Sequence, residues 1–141
     1  MWEVSVMSSD TTQRSIWMGL VVRSPWIEKI LSGDKTWEIR SKPNSTTGRI
    51  ALCKGGGPIV GTCKIDRSIA LTRNEFLKNF DKHRVSEQQL VEFYGDRQVY
   101  AWPVSDVRPL SQPIRYKHPG GGSWVTLSPQ NVAEFDRLQR A

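Results

Sequence analysis

Three side chains near the start of this 141-residue chain have the types and spacing for chemistry. They are Lys35, Glu38 and Arg40, in the run G-D-K-T-W-E-I-R from Gly33 to Arg40. Lys35 is a compact charge that can neutralise a phosphate or an oxyanion. If burial and a neighbouring cation lower its pKa, it can instead take a proton. Glu38 can accept hydrogen bonds from a base edge, orient a water, or pair with Lys35 or Arg40. Arg40 presents the planar fork that clamps phosphate bidentately. The same three residues also describe an ordinary ion-pair ladder on an exposed strand, worth about 0–1 kcal/mol per pair. The residues by themselves leave both readings open.

The elements that must position them are short. Ser24 is placed as a helix N-cap and Pro25 as the first helical residue, where its missing N–H costs nothing. Trp26, Ile27, Ile30 and Leu31 recur at helical spacing and give one apolar face. Gly33 ends the helix as a left-handed cap residue. The period then changes to two, so Glu38 and Arg40 share one strand face with Thr36, and Trp37 and Ile39 take the other. Strict alternation puts Lys35 with Trp37. Lys35 therefore joins Glu38 and Arg40 only if the turn at Gly33-Asp34 rotates it before the strand begins.

The remaining segments read as follows. Residues 15–23 form a strand apolar on both faces, and 41–48 form a loop. G-R-I-A-L-C-K and P-I-V-G-T-C-K-I-D-R-S-I-A-L are strand-rich runs joined across Gly55, Gly56 and Gly57 as a hairpin. Thr72 with Glu75 and Ser86 with Gln89 are two capping boxes, and Gly95 stops the second helix. Between those helices D-K-H-R (81–84) is a polar connector, in which His83 reads as a solvated loop residue before a base or a ligand. Residues 97–108 form a strand in which Pro103 marks a bulge or an edge. From Pro109 a long loop carries Arg115, Tyr116, Lys117 and His118, a basic-aromatic cluster. Residues 123–127 form a last strand, and Ser128-Pro129 opens a C-terminal helix with Val132, Phe135 and Leu138 on one stripe. Strands outnumber helices and the connections are too short for repeated parallel crossovers, so the pattern is a small mixed or mostly antiparallel β-barrel with helices outside.

Composition sets limits. The net charge is +6 with a sequence pI near 9.6, which favours an anionic partner and nucleic acid first among them. No apolar run approaches the roughly 18 residues of a membrane span. Residues 1–14 lack the features of a secretory signal and read as a flexible extension, with residues 15–141 as one domain. Cys53 and Cys63 lack metal-ligand spacing and read as reduced, buried thiols of a cytoplasmic protein. No phosphate loop of the nucleotide-hydrolase type is present, and neither a metal nor a cofactor is expected.

The G-D-K-T-W-E-I-R run resembles the Gly-x-Lys-x-x-Glu-x-Arg pattern of the ASCH domain, a family of the PUA-like superfamily of RNA-associated β-barrels. The S-P-W helix, the G-R-I-A-L and P-I-V-G-T-C strands, and the Y-A-W-P-V-S-D-V-R-P-L and Y-K-H-P-G-G-G-S-W-V segments also look like family material. The resemblance spans about residues 16–127 and implies an α+β PUA-like pseudo-barrel with a basic cleft at the motif. The partner it implies is RNA, a nucleotide or a modified nucleoside. Carried over by position, the motif residues are Gly33, Lys35, Glu38 and Arg40. The family also includes enzymes that cleave RNA and hydrolases that deacylate N4-acetylcytidine, in which case Lys35 and Glu38 are the catalytic pair. In those hydrolases Thr stands where this chain has Glu38. Beside the motif, Trp26, Tyr116 and Trp124 are candidates to stack on a base at roughly 1–3 kcal/mol, and Lys117 is a further candidate ligand-binding residue.

Overall fold

The computed structural model describes residues 16–117 and 122–140. Residues 1–14 and His118 lie outside that range. Seven strands are described: β1 (Met18–Val22), β2 (Trp37–Arg40), β3 (Gly48–Lys54), β4 (Ile59–Ile65), β5 (Ile69–Leu71), β6 (Val99–Ile114) and β7 (Trp124–Thr126). They form one sheet in the order β2-β6-β4-β3-β1-β7, with β5 also pairing β6, curled into a half-barrel. Among the described strands only β1 and β3 pair in parallel, and the chain between them supplies the crossover that a parallel pair requires.

Each face of the sheet is covered by helices whose sequences dictate how they dock. On one face Leu20, Val22, Ile50, Leu52, Cys63, Ile65 and Trp102 meet Ile27 and Ile30 of helix α1 (Trp26–Leu31). Helix α1 can approach closely because β4 has glycine beneath it: a Cβ at Gly61 would sit 2.8 Å from Leu31 Cδ2 and 2.9 Å from the Arg108 carbonyl. On the opposite face Ala51, Cys53, Ile59 and Val125 lie under Val132 and Phe135 of helix α5 (Pro129–Arg140). The two cysteines thus belong to different faces and both are buried.

A third cluster joins helices α2 (Arg73–Lys78), α3 (Phe80–His83) and α4 (Glu87–Tyr94) to the β2 end of the sheet, through Phe76, Val85 and Leu90 against Ile39, Val99 and Ala101. Burying side chains of this size contributes about 1.5–3 kcal/mol each. Both expected capping boxes are present with both of their bonds: Thr72 with Glu75 on α2, and Ser86 with Gln89 on α4.

Two local expectations change. Ser24 does not cap α1; the Ser24–Pro25 peptide is cis and the Ser24 hydroxyl donates to Glu28 at 2.8 Å. The expected loop from Pro109 begins later, because β6 continues to Ile114 by pairing Gly61 with Pro109 and Ile59 with Ile114. Register shifts in this pairing and a left-handed Asp106 (φ 46°) interrupt the ladder, which is where prolines are tolerated in a strand. Pro103 itself marks the point where β6 leaves β2 and takes up β4.

Candidate functional site

The turn after α1 decides where Lys35 goes. Gly33 takes φ 85°, its N–H bonds the Ile30 carbonyl at 3.0 Å, and the Lys35 N–H bonds the Lys29 carbonyl at 3.0 Å. Such bonds satisfy carbonyls left over at a helix C-terminus. The next N–H, of Thr36, bonds the Lys82 carbonyl at 2.8 Å, and β2 begins only at Trp37. Held off the strand in this way, Lys35 is turned toward Glu38, with Nζ 3.7 Å from Oε1.

Along β2, Glu38 stands opposite Trp102 and Arg40 opposite Tyr100 of β6. Arg40 Nε donates to Glu38 Oε2 at 2.8 Å. Its NH1 donates to Ser123 Oγ at 2.8 Å and its NH2 to the Val21 carbonyl at 2.7 Å. Since β2 and β7 lie at the two ends of the strand order, Arg40 bridges the gap between the edges of the curled sheet. The guanidinium lies 5.6 Å over Trp102, which stacks on Trp124 at 5.9 Å and 17°. The Lys35 ammonium lies 5.0 Å over the Trp26 ring and donates to the His83 carbonyl at 2.5 Å.

This is a row of cation, carboxylate and cation, and it is buried: Lys35 is 1% exposed and Glu38 5%. Its side chains narrow the choice left by sequence, since a solvated ladder would keep both in water. Burying ions is costly unless each is paired and hydrogen-bonded, and here each is. Burial pushes the Lys35 ammonium down from 10.5 to about 8; Glu38 opposes that shift, and Arg40 and Lys29 reinforce it. A lysine so placed can exchange a proton near neutral pH.

Of the residues singled out by sequence, the structure brings together Trp26, Lys35, Glu38, Arg40 and Trp124. Gly33 contributes conformation only, with nothing within 4 Å of where a Cβ would stand. Tyr116 packs on the opposite face, under α5, with its hydroxyl donating to the Lys54 carbonyl at 3.3 Å. Lys117 lies with Arg115, Tyr116, Ser128 and Asn131 along a groove of about 590 Å³ at the start of α5. Both are thus separated from the Lys35 row by the sheet.

His83 is buried and is neither solvated nor free to act as a base. Its Nδ1 accepts the Val85 N–H at 2.9 Å, so its proton is on Nε2, which donates to the Phe76 carbonyl at 2.7 Å. Burial also pushes its pKa below the usual histidine value. Trp102 and Ser123 are partners that sequence reading missed. For Trp102 the signal was its place opposite Glu38, which needs the register; for Ser123 it was only its position before Trp124.

The sequence pattern of the ASCH domain matches residues 20–113. Among curated proteins none matches the chain. Among solved structures, an ASCH protein from Zymomonas mobilis is similar at TM-score 0.69 and 18% identity, covering 86% of this chain and 94% of that one. A Tyr-to-Phe variant of a Zymomonas mobilis ASCH protein is similar at TM-score 0.70 and 19% identity, covering 86% and 96%. A Ser-to-Ala variant is similar at TM-score 0.68 and 18% identity, covering 89% and 97%. At these identities the likeness is one of fold.

Proposed function

The chain belongs to the ASCH domain family, and on that premise we propose that it binds RNA, or a nucleotide or nucleoside ligand, at the gap bridged by Arg40. The observation that carries the reading is the buried Lys35–Glu38–Arg40 row ending at the stacked Trp102 and Trp124. The edge of Arg40 suited to a bidentate clamp is already used by Glu38, so a phosphate meets the NH1 side, where Ser123 is half-buried. Trp124 is half-buried and offers a face for a base, and the +6 balance attracts a polyanion. The proposal takes residues 15–141 as one functional unit. It places that unit in the cytoplasm, where two free cysteines stay reduced.

The test is fluorescence anisotropy with a short single-stranded oligoribonucleotide at low salt. Lys35→Met and Trp124→Ala each weaken binding about tenfold or more, and affinity falls steeply with added salt. Unchanged affinity in both variants overturns the reading. A second reading is hydrolysis of single-stranded RNA or of the N4-acetylcytidine amide. Its support is the Lys35 ammonium, held near 8 beside a carboxylate 3.7 Å away, a pair fit to pass a proton. Product from either substrate that disappears in Lys35→Met favours turnover; no product from the native protein leaves binding alone.

A further inference from the structure

The D-K-H-R connector is not used by the binding reading, yet three of its residues touch the segment that carries Lys35. The Lys82 carbonyl accepts the Thr36 N–H at 2.8 Å, and the Lys82 ammonium lies 4.8 Å over the Trp37 ring. The His83 carbonyl accepts from Lys35 Nζ at 2.5 Å. Arg84 Nε donates to the Asp34 carbonyl at 3.1 Å, and its NH2 is 3.0 Å from Asp34 Oδ1. Residues 82, 83 and 84 thus meet Thr36 and Trp37, Lys35, and Asp34 in reverse order, without a β-ladder between them.

The chemistry behind this is the end of a helix. The last carbonyls of a helix have no partner within it, and in α3 those of Lys82 and His83 are given to Thr36 and Lys35. Arg84 ends α3 in the left-handed region at φ 62°, uncommon for a residue with a side chain. The His83 ring fixes its own backbone from both sides, through Val85 and Phe76, and is stacked on Phe76 at 4.0 Å. The groups facing the Lys35 ammonium are therefore Trp26 of α1, Glu38 and Arg40 of β2 and the His83 carbonyl, with Lys29 the further cation.

We infer that Lys82, His83 and Arg84 form a positioning clasp, which keeps the Lys35 ammonium out of water and aimed at Glu38. The inference rests on Lys35 serving the site proposed above. None of the three clasp residues is catalytic, since none is placed against a ligand. The clasp has an outer latch, the Arg84–Asp34 pair, whose side chains are partly exposed and can be removed without emptying the core.

The latch distinguishes positioning from plain charge. The measurement is an NMR titration of the Lys35 Cε resonance in ligand-free protein, so its outcome is independent of whether RNA binds. If the latch positions Lys35, Arg84→Ala and Asp34→Ala both admit water and both raise its midpoint, by about 0.5 unit or more. If only charge acts, losing the cation raises the midpoint and losing the anion lowers it. Leu90→Ala, in the same cluster but away from the latch, lowers the unfolding temperature and leaves the Lys35 midpoint in place. Opposite signs in the two latch variants, or no shift in either, overturns the inference.

Discussion

Two rows of cation, carboxylate and cation can be compared among the described residues, and they differ in where they sit. Lys35, Glu38 and Arg40 lie at the gap between the sheet edges, with side chains 1%, 7% and 19% exposed. Arg49, Asp106 and Arg108 lie across β3 and β6, with side chains 17%, 41% and 64% exposed. Arg49 pairs with Asp106 and also donates to Thr62, and Arg108 reaches the same carboxylate at 3.0 Å. The formal charges are identical. In the second row Arg49 is tucked against Thr62, but the carboxylate of Asp106 and the guanidinium of Arg108 stand in water, where solvent and salt screen them. In the first row each charge depends on its neighbour, because little water remains to replace it.

The largest contrast is expected on removing the central carboxylates. Glu38→Gln leaves the buried Lys35 and the part-buried Arg40 without their counter-ion and costs about 3–5 kcal/mol in chemical denaturation. Asp106→Asn is expected to shift the same midpoint far less, and to shift it less still in high salt. Equal losses would erase the distinction between the rows.

The next effect concerns pH. Lys35 is held near 8 in the folded protein against an ordinary 10.5, so between those values the unfolded chain binds more protons there. Stability contributed through Lys35 therefore rises with pH across that window, by on the order of 2–3 kcal/mol. The buried thiols of Cys53 and Cys63, pushed up by burial from 9.0 to about 12, run the other way above pH 9. The measurement that isolates Lys35 is the difference in unfolding free energy between native protein and Lys35→Met from about pH 7.5 to about pH 10. A flat difference removes the argument for a buried, proton-exchanging lysine.

The smallest effect is at the rim. Ser123→Ala removes one acceptor from Arg40, at a half-exposed position, and costs about 0.5–1.5 kcal/mol in stability. Its effect on oligoribonucleotide affinity sharpens the comparison further, because no variant of Arg108 should reproduce it at equal salt.

Much of this was legible where the chain decides locally. The two capping boxes bond residues three apart, and they formed as the sequence implied. The family pattern pointed to the pseudo-barrel, and the two-residue period correctly set Glu38 and Arg40 on one face. The condition on Lys35, that a glycine turn rotate it off the strand, was also a local statement. What escaped the sequence is set by closure of the sheet. Ser123 lies 83 positions from Arg40, and no periodicity connects them. His83 looks polar in a polar run, yet Phe76 and Phe80 enclose its ring only once α2 and α3 have folded over β2. Tyr116 looked like a stacking platform because its neighbours are basic, but the extension of β6 to Ile114 carries it to the far face.

The bridge made by Arg40 has a consequence for motion. Along the strand order every neighbouring pair is joined by main-chain ladders, whereas across the gap between its two ends the described residues show side-chain contacts, from Arg40 to Ser123 and Val21 and from Trp102 to Trp124. The circumference of the half-barrel is thus closed there by side chains and not by a ladder. Widening it there breaks no strand-to-strand main-chain hydrogen bond, so the girth of the sheet changes by loosening side chains while the ladders stay intact.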